Sequence, residues 1–332
     1  MDTFYYLVQS TLPIAIPLLL VALGGMFSER SGIINIALEG IMIFGAFFGA
    51  IFVLSTQNSS INPQILLIIG ALVAGFASIG YSMLLAYASV NLKANQVIVG
   101  TALNMLIPAI VIIYAQLMNA GWSGVGDSPY SGGGITTTLN LYIHEVPLLS
   151  QIPVIGDLLF KDTYLTVYLG FLVLIISTIV LYKTKFGLRL RACGEHPQAA
   201  DSVGINVYKM RYAGVALSGF LGGMGGYFYS VSVLNSNISG LTGVAGYGFL
   251  ALAVMIFGQW KPVRIFFAAL FFAFLSTLSV SVPLIPFLNN LGLDLTIYKM
   301  LPYIATLIVL IFTSKSSKAP KAEGIPYDKG LR

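Results

Sequence analysis

Charge is scarce in this sequence: Asp, Glu, Lys and Arg make up 9% of 332 residues, while 57% are hydrophobic and the mean hydropathy is +0.88. Soluble domains carry roughly a quarter of their residues as charges, so a water-facing globule is excluded and the chain is read as an integral membrane protein. Cysteine is nearly absent as well. A lone Cys193 rules out an internal disulfide and any CxxC metal pair. The chain has no GxxxxGK[ST] phosphate loop, no GxSxG nucleophile turn and no HExxH, since His144 is followed by Glu145 but by no second His at helical spacing. Neither catalysis, a cofactor nor a metal is expected. The opening MDTFYYLVQS holds Asp2 but no Lys or Arg, so it lacks the basic region of a cleaved signal, and the first hydrophobic segment is expected to be retained.

What is present is a series of long apolar runs without period-two alternation, which in lipid demands helices and disfavours a barrel. The fold class is therefore all-α, a polytopic transmembrane bundle. About nine runs are long enough to span at ~1.5 Å per residue: 5–27, 33–54, 64–88, 97–118, 164–182, 212–234, 244–257, 265–282 and 297–312. The seventh is short and flanked by glycine (GLTGVAGYGF), which predicts a tilted, broken or re-entrant helix. Small residues recur at four-residue spacing, as in Gly45 with Gly49 and Gly222 with Gly226, and GFLGGMGG reads as a seam where helices approach closely. A loose internal echo links LGGMFSERSGIINIALEG with LGGMGGYFYSVS, each a glycine-rich helix end before a further hydrophobic run.

The positive charges sort by loop. Residues 183–211 hold six Lys or Arg, QWKPVR holds Lys261 and Arg264, and the tail 314–332 holds five, whereas segment 119–163 holds only Lys161. With nine spans all the basic segments fall on one face, which places the C-terminus and the 183–211 loop in the cytoplasm and the N-terminus and 119–163 outside. The domain reading is a transmembrane unit, 1–313, followed by a basic tail, 314–332. Orientation and contact with anionic membrane lipid account for the net charge of +5 better than nucleic acid does, and no nucleic-acid partner is expected.

Two polar sets lie at or near membrane depth. Asn35 and Glu39, four residues apart, are expected on one face of the second helix. An acid there either closes a hydrogen bond between helices or lines a solute pathway. Asn95, Gln96 and Asn104 form the second set at the start of the fourth span, with Gln96 and Asn104 on nearly one stripe; their amides could bond a polar solute or hold neighbouring helices.

The polar 183–211 loop, KTKFGLRLRACGEHPQAADSVGINVYKMR, is more than an orientation signal. Gly194 and Pro197 shape a turn, and the small Ala199 and Ala200 run up to Gly204, so a short helix could seat in a groove of a partner protein. Its core, FGLRLRACGEHPQAADSVGI, resembles the GLRxRAxGExPxAAxxxGI signature of permeases in the branched-chain amino acid, ribose and nucleoside ABC importer family. The residues that carry the resemblance are Gly187, Arg189, Arg191, Gly194, Glu195, Pro197, Ala199, Ala200, Gly204 and Ile205, with His196 where the commoner motif has Asn. FSERSGIINIALEGIMIFGAF, GYGFLALAVMIFGQWKP and the ending PKAEGIPYDKG are similar to the bacterial nucleoside (guanosine-type) subgroup. The resemblance implies a cell-membrane importer in which this chain moves solute by alternating access. Its partners would be a paralogous permease, a cytoplasmic ATP-binding subunit docked on the signature loop and an extracytoplasmic solute-binding lipoprotein, with a purine nucleoside as cargo. Sugars and branched-chain amino acids remain open as cargo, and an ion-coupled secondary transporter using Glu39 remains the rival of another class.

Overall fold

Apolar surroundings force each backbone group to pair within its own segment, and the chain answers with helices nearly throughout. The computed structural model describes residues 2–56, 59–120, 142–145, 161–233, 244, 246–285, 290, 294–313 and 319–330. In order these form α1 (Asp2–Arg30), α2 (Leu38–Thr56), α3 (Pro63–Val90), α4 (Gln96–Ala120), β1 (Tyr142–Glu145), β2 (Lys161–Tyr164), α5 (Leu165–Lys183), α6 (Lys185–Glu195), α7 (Pro197–Ser202), α8 (Val207–Ser232), α9 (Tyr247–Phe257), α10 (Pro262–Val280), a 3-10 turn (Val282–Leu284), α11 (Leu295–Lys299) and α12 (Leu301–Thr313). The all-α polytopic expectation holds. Six of these helices are long and apolar enough to cross a bilayer, and α8, with 26 residues, has the length as well.

Glycine-rich α8 is the hub, packed on α1, α2 and α3. The reason is steric. A Cβ built on Gly226 would stand 1.9 Å from the Met42 carbonyl oxygen, and one on Gly45 would stand 2.3 Å from Gly223, so only bare backbone lets α2 and α8 meet. Tyr227 and Phe228, both fully buried, fill the space around that seam. Large exposed apolar residues run along α3 (Ile65, Ile68, Leu72, Phe76), α4 (Ile98, Met105), α5 (Leu172, Ile175) and α12 (Leu307, Ile311), the outer surface that a bilayer would cover.

Several boundaries differ from the sequence reading. The second helix begins at Leu38, not Ile33: Gly32, at φ +98°, ends α1, and the chain stays non-helical through Ala37. Asn35 therefore lies outside α2, and the expectation that it shares a helix face with Glu39 is corrected. The seventh run is short as expected. Its helix, α9, has 11 residues, about 16 Å at 1.5 Å each, against a hydrocarbon core of ~30 Å. The ninth run is interrupted at Met300, because Pro302 lacks an N–H to donate back into α11. A small antiparallel pair, β1 with β2, places Tyr142 opposite Tyr164 and Glu145 opposite Lys161, a local departure from the all-helical pattern. Within the 119–163 segment, 121–141 and 146–160 lie outside the described residues, as do 314–318 and 331–332 of the tail.

Candidate functional site

The first polar centre surrounds the break between α1 and α2. Residues 33–37 run as largely buried non-helical backbone, which must find partners elsewhere. Side chains supply them. Ser28 Oγ donates to the Ile33 carbonyl at 2.8 Å, and Ile34 N–H donates to Gln96 Oε1 at 2.7 Å. Asn104 ties the break to the first turn of α2: its Nδ2 donates to the Ile36 carbonyl and its Oδ1 accepts from Gly40 N–H, each at 2.7 Å. Asn35, with no exposed surface, donates from Nδ2 to Ser218 Oγ on α8 at 2.7 Å.

Glu39 opens α2 and reaches across to the start of α9. Its carboxylate accepts from the N–H groups of Gly246, Gly248 (2.7 Å) and Phe249 (3.2 Å). Gly246 sits at φ +94° immediately before α9, where the first N–H groups of a helix have no intrahelical partner and the macrodipole presents positive charge. An anion placed there satisfies both demands. Glu39 is thus a clamp between the start of α2 and the start of the short α9, and a Cβ on Gly248 would collide with its backbone at 2.4 Å.

Of the five residues read as a solute pathway, Asn35, Glu39, Gln96 and Asn104 converge on this break. Asn95 does not: it is exposed and caps α4, its Oδ1 accepting from Val97 and Ile98 N–H at 2.9 and 3.2 Å. Two buried polar atoms of the set have no partner among the described residues, Asn35 Oδ1 and Gln96 Nε2. Ser218, which completes the Asn35 contact, was not singled out by sequence, where a serine in a glycine-rich helix carries no distinguishing mark.

The second centre is the signature loop. Thr184 caps α6, its hydroxyl accepting from Gly187 N–H at 3.1 Å, and Gly187 lies where a Cβ would sit 2.2 Å from the Val180 carbonyl oxygen, so α6 can fold back on the end of α5. Gly194 meets the Arg30 carbonyl at a similar distance, 2.3 Å from an added Cβ. Glu195 forms an ion pair with Arg30 at 3.7 Å, and Arg191 lies over the Tyr182 ring at 5.1 Å, while Arg189 stays exposed. Pro197, buried, starts α7, and Gly204 at φ +82° ends it, with Ile205 N–H returning to the Ala200 carbonyl.

The two alanines divide. Ala199 faces out, but Ala200 is buried with Cys193 and Val207 in a small core of the loop's own. Cys193 has no exposed surface, and burial pushes its thiol up to about 11. A further member of that core is Tyr327, from the segment that the sequence reading gave as a basic tail. Beside it, Arg30, Glu195, Gln259, Lys261, Ala319 and Lys321 line a cleft of about 430 Å³. The signal for the tail was available: a tyrosine and two prolines in PKAEGIPYDKG suit packing better than solvation.

Comparison with known proteins identifies the family. No solved structure matches. The chain is 41% identical over 330 residues to the nucleoside ABC transporter permease protein NupC of Lactococcus lactis, covering 99% of this chain and 98% of that one. It is 40% identical over 329 residues to the guanosine ABC transporter permease protein NupQ of Bacillus subtilis, covering 98% and 97%. A second Lactococcus lactis protein, the nucleoside ABC transporter permease protein NupB, is 28% identical over 167 residues, 49% of this chain and 44% of that one. The family profile described as branched-chain amino acid transport system / permease component matches residues 7–311, and this multi-pass membrane protein belongs to that family.

Proposed function

We propose that the chain is the transmembrane permease subunit of an ATP-binding cassette importer that takes up purine nucleosides by alternating access. One observation carries this reading: end-to-end identity of 40 to 41% with permeases named for nucleosides and for guanosine. The chain is a transport component, and ATP is hydrolysed by a separate cytoplasmic subunit that docks on α6–α7. Arg189, Arg191, Gly194, Glu195, Pro197, Ala199, Ala200, Gly204 and Ile205 form this coupling element, with Ala199 and Arg189 on the outward face. A paralogous permease completes the membrane pathway, a pairing supported by the two distinct Lactococcus permeases that the chain resembles. An extracytoplasmic lipoprotein delivers the solute. The basic loops face the cytoplasm, with the N-terminus outside and the C-terminus inside.

The break around Asn35 is the proposed solute-responsive centre. Alternating access needs two helical packings of nearly equal energy, and discontinuous helices held by side-chain hydrogen bonds are where such a bundle can re-pack. Glu39, Gln96 and Asn104 brace it, while Asn35 Oδ1 and Gln96 Nε2 keep an acceptor and a donor unfilled, which suits an uncharged solute with both. Glu39 already accepts from three backbone N–H groups, which disfavours it as the ion site of a secondary transporter.

The test is uptake in cells that lack the gene. Labelled guanosine or adenosine uptake should fall, with leucine and ribose uptake unchanged. The reverse pattern would overturn the cargo, and uptake that survives inactivation of the partner ATPase would overturn the importer reading.

A further inference from the structure

The tail crosses the loop face as an ordered strap. Ala322 N–H donates to the Gly194 carbonyl at 2.9 Å, and Gly324 N–H to the Gly32 carbonyl at 3.2 Å. Arg211 Nη2, at the foot of α8, donates to the Ile325 carbonyl at 3.0 Å, and Lys93, between α3 and α4, pairs with Asp328 at 2.5 Å. Four segments far apart in sequence are thereby tied to one stretch of about a dozen residues: the signature loop, the α1–α2 break, the α3–α4 connection and α8.

Tyr327 is the anchor. It is 5% exposed, its ring lies 5.4 Å from that of Tyr208, and the Arg211 guanidinium sits over it at 5.9 Å. With Cys193, Ala200 and Val207 it forms a core separate from that of the bundle, so the inner face of the loop is filled in part by the tail. Arg211 is 1% exposed, and the one hydrogen bond of its guanidinium among the described residues goes to the tail; Nε and Nη1 have none. A buried cation with so few partners depends on each one that it has.

Backbone strain marks the same face. The non-glycine residues at positive φ among those described are Lys93, Gln259 and Trp260. Lys93 holds Asp328, and Trp260 Nε1 donates to Glu29, whose carboxyl hydrogen-bonds Glu323 of the tail. Such conformations persist where surrounding contacts over-determine them.

We propose that residues 319–330 are a clasp that holds α6–α7 in register with α1, α3 and α8, with Tyr327 as a positioning residue for the coupling of ATP hydrolysis to transport. The inference rests on α6–α7 being the coupling element. A loop that receives a push from a partner transmits it only if it is stiff and fastened to what must move. The strap fastens it to the connections that flank the α1–α2 break, so a displacement at α7 reaches the helices around Asn35 and Glu39 together.

Two readouts on the assembled importer separate this proposal from the reading beneath it. The first is the maleimide labelling rate of Cys193, the single thiol of the chain, which shares a core with Tyr327. The second is solute transported per ATP hydrolysed in proteoliposomes. Tyr327→Ala, and separately truncation after residue 318, should speed labelling by about tenfold or more as the loop opens locally. Transport per ATP should fall several-fold, and Tyr327→Phe, which keeps the ring, should retain both values. If truncation prevents assembly, Asp328→Asn, which releases only the Lys93 tie, should shift both readouts in the same direction by a smaller factor. Unchanged labelling in Tyr327→Ala would overturn the clasp, and faster labelling with unchanged transport per ATP would overturn its role in coupling. Solute uptake with no ATP requirement would instead remove the importer reading, while labelling would still judge the clasp.

Discussion

Asn104→Leu separates bracing from solute contact. On sequence, Asn104 could bond a solute or hold neighbouring helices; were it a solute ligand, losing one hydrogen bond to a buried solute would weaken transport about two- to tenfold at ~0.5–1.5 kcal/mol. The structure assigns its two polar atoms to the Ile36 carbonyl and the Gly40 N–H, both at 2.7 Å, in backbone that no helix satisfies. Leucine is close in volume, so packing is nearly conserved while both backbone groups are left bare. Each orphaned buried group costs ~1–3 kcal/mol, so the expected loss is roughly 2–6 kcal/mol, a large part of the 5–15 kcal/mol that typically stabilises a domain. The expected result is a protein that inserts but melts well below wild type in detergent, with transport lost together with the folded population. The assay is a thermal scan of the purified permease beside nucleoside uptake normalised to folded protein. A wild-type melting profile with uptake reduced two- to tenfold would refute the bracing argument and return Asn104 to the solute.

Two further outcomes follow from the loop and the tail. Ala199→Leu, on the outward face, should leave Cys193 protected and the protein stable while uptake falls, whereas Ala200→Leu should overpack the loop core at ~1–3 kcal/mol and speed Cys193 labelling; equal behaviour of the pair would contradict the division. Burial raises the Glu323 carboxyl above its ordinary value of 4.5, outweighing its hydrogen bond to Glu29 and the nearby Arg30 charge that pull it down. The docked tail therefore keeps its proton to higher pH than a free tail, so docking is strongest below 4.5 and weakens as pH rises through the folded value. Glu323→Gln should flatten that dependence, read as the Cys193 labelling rate corrected for thiolate fraction, and an unchanged slope would reject it.

Much of this molecule is legible in its sequence because lipid leaves the backbone few choices. Long apolar runs had to become helices, the glycines of GFLGGMGG had to mark close approach, and the short run before QWKP had to be a partial helix. The signature loop was equally readable, since Gly194, Pro197 and Gly204 have local conformational consequences that the chain expresses wherever it sits. Where polar residues point is a different matter. Asn35 and Glu39 have helical spacing, yet the helix between them does not form, because the side chains of Gln96 and Asn104, some 60 residues away, supply the hydrogen bonds that a helix otherwise would. Ala199 and Ala200 are adjacent and alike, and only in the folded chain does Ala200 pack with Tyr327, more than a hundred residues on, while Ala199 stays exposed. The sequence by itself determined the solvent, the helices and the family, since these depend on composition and local pattern. Tertiary structure decided which polar groups brace and which are free, because hydrogen-bond satisfaction is a property of neighbours in space.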